Sequence, residues 1–125
     1  MVAKLWSQDK VALDMSSAVM NNGLLFGMSH YSKGQFFCVD PGNGEILWQS
    51  PGRVGSNVTF LSVPGHVLAL RDNGHLDVIR ASGTSFDKIA SWKVADSPTW
   101  APPVLLPNGV LVKDQETLTR WSFGG

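Results

Sequence analysis

Apolar residues in this chain come in short runs, each cut off by a cluster of Gly, Asn, Asp, Pro or Ser. Runs of that length with such breakers read as β-strands joined by tight turns. The clearest turn is Asp40-Pro-Gly-Asn-Gly44, between the runs that end at Val39 and at Trp48. Asp40 accepts hydrogen bonds from turn N–H groups, Pro41 presets φ, and Gly44 takes the positive φ that closes the loop. The same logic predicts strands at 2–6, 17–20, 24–28, 35–40 and 45–49. It continues with 58–63, 67–71, 75–80 and 88–94, then 104–106, 109–113 and 117–123, with Gly124-Gly125 as a frayed end.

These strands repeat. Tryptophans at 6, 48 and 92 are spaced 42 and 44, and a glycine before an apolar run recurs at 23, 65 and 109 with the same spacings. A third series starts at Gly34 and Gly74, 40 apart, and continues loosely at 117–121. A period of about 40–45 residues holding four short strands is the signature of a β-propeller blade.

The motif filled by Cys38, Asp40, Asn43, Gly44 and Trp48 resembles the repeat of the pyrroloquinoline-quinone-type, or quinoprotein-like, propellers. That resemblance implies a fold shared by quinone-dependent alcohol dehydrogenases and by non-catalytic propellers such as the outer-membrane assembly lipoproteins. The dehydrogenases stack their quinone on a Trp, cap it with a vicinal disulfide and hold calcium with Glu, Asn and Asp. This chain has a single cysteine and no matching acidic cluster. No cofactor is expected; pyrroloquinoline quinone and calcium enter only if the chain is part of such an oxidoreductase. Members of the family are commonly periplasmic or secreted.

The strand order is offset. Residues 1–6 read as the outer strand of a split blade, 17–49 and 57–94 as two whole blades, and 101–123 as three inner strands. The fold expected is therefore all-β, a propeller segment of about three four-stranded blades and twelve strands. Three blades do not close a ring, since propellers have about four to eight. The chain is thus expected to join the missing blades of a larger propeller, or to close a six-bladed ring as a homodimer in which each N-terminal strand completes the other copy's last blade. A self-assembling segment without a ligand, isolated or designed, is a further reading.

Lys plus Arg and Asp plus Glu both number 10, so no basic surplus points to nucleic acid or an anionic membrane. No stretch reaches the ~18–20 apolar residues of a membrane span, and the first residues lack the apolar core of a signal peptide. The three histidines, His30, His66 and His75, have no ligand spacing. No phosphate loop or nucleophile elbow is present, and Cys38 reads as a buried packing thiol. What is left is a loop face, where crossings between blades meet the loops joining the middle strands. It is predicted to carry His30, Tyr31, Lys33, Arg53, Arg71, Asp72, Asp96, Trp100, Lys113 and Asp114. Mixed charge with aromatics suits a protein or peptide partner. Trp6, Asp40, Gly44, Trp48 and Trp92 are read as the structural repeat. The function expected is a non-enzymatic scaffold.

Overall fold

A computed structural model describes residues 2–13 and 16–123. Met1, which opens the predicted first strand, Asp14 and Met15 in the first crossing, and the two C-terminal glycines lie outside the described residues. The chain forms three antiparallel sheets in sequence order. The first holds β1 (Val19–Asn21), β2 (Leu24–Ser29), β3 (Gln35–Val39) and β4 (Ile46–Gln49). The second holds β5 (Val58–Val63), β6 (His66–Arg71), β7 (His75–Arg80) and β8 (Lys88–Lys93). The third has only β9 (Val104–Leu106), β10 (Gly109–Lys113) and β11 (Leu118–Ser122), with β11 at its edge.

Each sheet is an up-and-down meander because its turns are short enough to keep consecutive strands adjacent. Asn22 and Gly23, both with positive φ (54° and 74°), make the first hairpin turn of the kind that matches strand twist. Asp40 builds the next. Its Oδ1 accepts from the Gly42 N–H at 2.8 Å and its carbonyl accepts from the Gly44 N–H at 2.8 Å. Inner strands of neighbouring sheets are stitched by Asn21, whose Nδ2 donates to the carbonyls of Val63 and His66, both at 2.7 Å.

Among the described residues eleven strands form rather than twelve, and the outer strand expected at the N-terminus is the one that does not form. Residues 2–6 run unpaired, yet Trp6 is anchored. Its indole N–H donates to the Pro41 carbonyl at 2.8 Å, and its ring lies where a Cβ on Gly44 would project. The Gly44 φ of 77° is open to glycine at little strain, so turn shape and ring contact both select it.

Two registers depart from the repeat as read in sequence. Gly23 and Gly65 are turn residues, with φ of 74° and 79°, but Gly109 is the first residue of β10 and pairs with Leu106. In the second blade Val63 pairs with His66, so Gly109 corresponds to His66, one position on. Trp48 lies opposite Cys38, whereas Trp92 lies opposite Leu76, which corresponds to Phe36 rather than to Cys38. The shift lies within the strand: Trp48 stands two residues after Ile46, the partner of Val39, whereas Trp92 stands four after Lys88, the partner of Ile79.

The core lies between sheets. Phe26, Phe36, Cys38 and Trp48 of the first blade pack on Val58, Phe60, Val67 and Ile79 of the second. Trp48 is 8% exposed, and its indole N–H donates to the Ser82 carbonyl at 2.7 Å. Phe86 closes the rim, with its ring centroid 5.4 Å from that of Trp48 and 6.1 Å from that of Phe36. Two variants separate the contributions at this junction. Trp48→Phe loses one hydrogen bond and is expected to cost about 1 kcal/mol, while Trp48→Ala, which also opens a cavity, costs about 3–5 kcal/mol. Urea unfolding reads both, and equal losses would mean that the bond to Ser82 contributes nothing.

Candidate functional site

Crossings and middle loops do meet on one face. The Arg53 N–H donates to the Ser32 carbonyl at 2.8 Å and the Val54 N–H to the Gly34 carbonyl at 2.9 Å. In the next blade the Thr99 hydroxyl donates to the Arg71 carbonyl at 2.6 Å, and in the third the Gln115 N–H donates to Ser97 Oγ at 3.0 Å. The predicted residues divide on this frame. His30, Tyr31, Lys33 and Arg53 cluster, with the His30 and Tyr31 rings 4.5 Å apart and Tyr31 exposed. His30 Nδ1 sits 3.0 Å from the Ala12 carbonyl, and Ser32, Lys33 and Arg53 all adopt positive φ. Asp96 is in solvent, 3.8 Å from Lys93, a pairing worth little when both groups are exposed.

Arg71 turns inward. Its Nε and Nη2 stand 3.0 and 3.1 Å from the carboxylate oxygens of buried Asp77, which also accepts from the Ser91 hydroxyl at 2.6 Å. A buried carboxylate needs such partners, so this network holds β6, β7 and β8 together. Asp72 accepts from the Ser56 N–H at 3.3 Å. Asp114 caps its own turn, accepting from the N–H groups of Glu116 and Thr117 at 2.9 and 2.8 Å, and Lys113 Nζ donates to the Asp114 carbonyl at 2.9 Å. Trp100 stands apart from the loops. It walls a small cavity of about 220 Å³ with Ser17, Phe60, Pro102 and Asn57, whose Oδ1 is buried without a donor among the described residues.

A larger concavity lies elsewhere. A groove of about 770 Å³ opens between the second and third blades, at the end of the sheets opposite the loop face. Its floor is Leu68, Leu76 and Val78, and its walls include Ile89, Trp92, Leu105, Trp121 and Phe123. Leu68, Leu76 and Val78 correspond in ladder position to Phe26, Phe36 and Cys38, which the first junction buries fully. The groove is thus the place that the 82–86 turn and Phe86 fill one blade earlier. Trp92, 50% exposed here, is left uncapped. The sequence pattern did not reveal this groove, which depends on the different ladder positions of Trp48 and Trp92.

No family model and no curated protein sequence matches the chain. Solved structures do. BamB from Moraxella catarrhalis aligns at a TM-score of 0.64 and 14% identity, covering 85% of this chain and 30% of that one. The computationally designed Ika8 protein gives 0.64 and 14%, covering 85% and 32%. A europium-containing methanol dehydrogenase gives 0.60 and 16%, covering 86% and 21%. The fold is that of a β-propeller segment. The segment spans about a third or less of the length of these three structures, and identities this low speak for the fold alone.

Among the described residues no three His, Cys, Asp or Glu side chains converge as a metal site would require. Cys38 is buried, and burial, with the Asp40 charge second, pushes its thiol from 9.0 up to about 11. A thiol reagent at pH 8 is expected to leave the folded protein unmodified and to react only as fast as the chain unfolds; rapid labelling under native conditions would contradict the burial of Cys38. Asp114 is held well below the usual carboxylate range, first by the Glu116 N–H and then by the Thr117 N–H. Its stabilising contribution is therefore full above the unfolded-state value of about 3.9 and is lost as pH falls from there toward the depressed value. The stability gap between the native chain and Asp114→Asn, read from urea midpoints, should narrow with acidification; a gap constant from pH 6 to pH 2 would refute this role.

Proposed function

We propose that the chain is a non-enzymatic propeller scaffold whose third blade receives an extended strand from a partner. The observation that carries this reading is the coincidence of an apolar groove with the edge strand β11. An edge strand pairs with an added strand through its backbone, while an adjacent apolar groove takes alternate side chains. Patches of exposed Trp, Leu and Ile of this extent mark interaction surfaces. The loop face with Tyr31 and Arg53 lies at the opposite end of the blades and stays open to a protein or peptide in such an assembly.

The oxidoreductase alternative has a methanol dehydrogenase among the structural neighbours in its favour. Against it, the acids best placed by sequence and structure are committed: Asp40 and Asp114 cap turns and Asp77 is locked to Arg71. Dye reduction on addition of quinone with calcium would reverse the preference.

A peptide copying the chain's own outer strand, residues 43–50, tests the scaffold reading directly. Titrated into the protein, it is expected to shift tryptophan emission to the blue as Trp92 is covered, and to protect β11 amides from hydrogen exchange. Unchanged emission and exchange at millimolar peptide would defeat the reading.

A further inference from the structure

We infer that the strand received by the third blade is residues 2–6 of a second copy, so that two chains join head to tail into a closed ring of six blades. This rests on the reading that the groove and the β11 edge accept a strand.

Two tryptophans in the chain carry the inference. Trp48 stands on β4, the outer strand of its blade, and its indole N–H reaches the third-strand turn of the next blade at Ser82. Trp6 makes the same bond, at 2.8 Å against 2.7 Å, to the corresponding turn of the first blade at Pro41. Residues 2–6 therefore stand where the outer strand of a preceding blade belongs, already fixed to the blade that follows. Among the described residues no strand pairs with them. Val2 and Leu5 are accordingly 99% and 87% exposed.

The other end has the opposite lack. β9, β10 and β11 form a blade without its outer strand, and the junction behind them gapes where the first junction is closed. An unpaired outer segment at one end and a three-stranded blade at the other make a heterologous contact. Such a contact closes when the blade count reaches a ring size, and two copies give six, within the four to eight that propellers use. The incoming segment brings the apolar side chains and the free backbone that the groove and edge can take.

The test is solution mass by light scattering on three proteins and one mixture. The native chain is expected at twice 13.5 kDa. Removing residues 1–5 leaves the Trp6 anchor intact and should give a single chain. So should Ile89→Asp with Leu105→Asp, two exposed groove residues whose change leaves the single chain's core untouched. Near-UV dichroism confirms that both variants are folded. Mixed, they should regain the two-chain mass, because the doubly substituted chain still has its strand and the truncated chain still has its groove. A truncated protein that keeps the native mass, a native chain that is single at every concentration, or a mixture that stays single overturns the inference. If the 43–50 peptide fills the groove while the native chain stays single, the groove accepts a strand from another source, and only this inference falls.

Discussion

The structure depends on one interaction made twice: an indole N–H on an outer strand donating to a carbonyl in the turn of the following blade. An indole brought to the edge of an apolar core must pair its N–H, since a buried donor without an acceptor costs about 1–3 kcal/mol. The acceptor in both cases is a carbonyl in the turn of the next blade. β4 is thereby bound to two blades, by its ladder to one and by Trp48 to the next. Stability then resides in junctions rather than in single sheets, as in other repeat proteins.

This explains how a chain with so little regular core per sheet holds together. Blade one presents Phe26, Phe36 and Trp48, and blade two meets them with Val58, Phe60, Val67 and Ile79, the Phe36 and Phe60 rings lying 5.9 Å apart. At the second junction Leu68, Leu70 and Leu76 meet Val110 and Val112. The volumes are smaller, and the outer part of that wedge is empty.

Strands and turns were legible because they rest on local chemistry. Asp40, Pro41 and Gly44 dictate a turn wherever they stand together, and the runs they separate can only be strands of that length. Register was less legible. A two-residue slip keeps every side chain on its own face, so period-two alternation is blind to the displacement of Trp92 from the place opposite Val78 to the place opposite Leu76. The one-residue offset of Gly109 was hidden for another reason: the turn before it is Pro107-Asn108, and glycine merely opens the strand. Polar side chains were legible only as candidates. Arg71 and Asp114 read as loop residues, and nothing in their neighbours' identities reveals that Asp77, six residues away, or the N–H groups of a turn would claim them.

The two junctions differ in a way that composition alone does not explain. If the second were meant to face water, Val78, Ile89, Trp92, Leu105 and Trp121 would be the natural places for charge, since exposed strand faces and edges are ordinarily blunted with Lys or Glu. Instead the same ladder positions carry the same class of side chain at both junctions, Val78 matching Cys38 and Leu76 matching Phe36. Lys93 is the cation beside the groove, and its ammonium reaches away toward Asp96. An apolar surface kept in the pattern of an interior, beside an edge strand, has the composition of a core with one side left out.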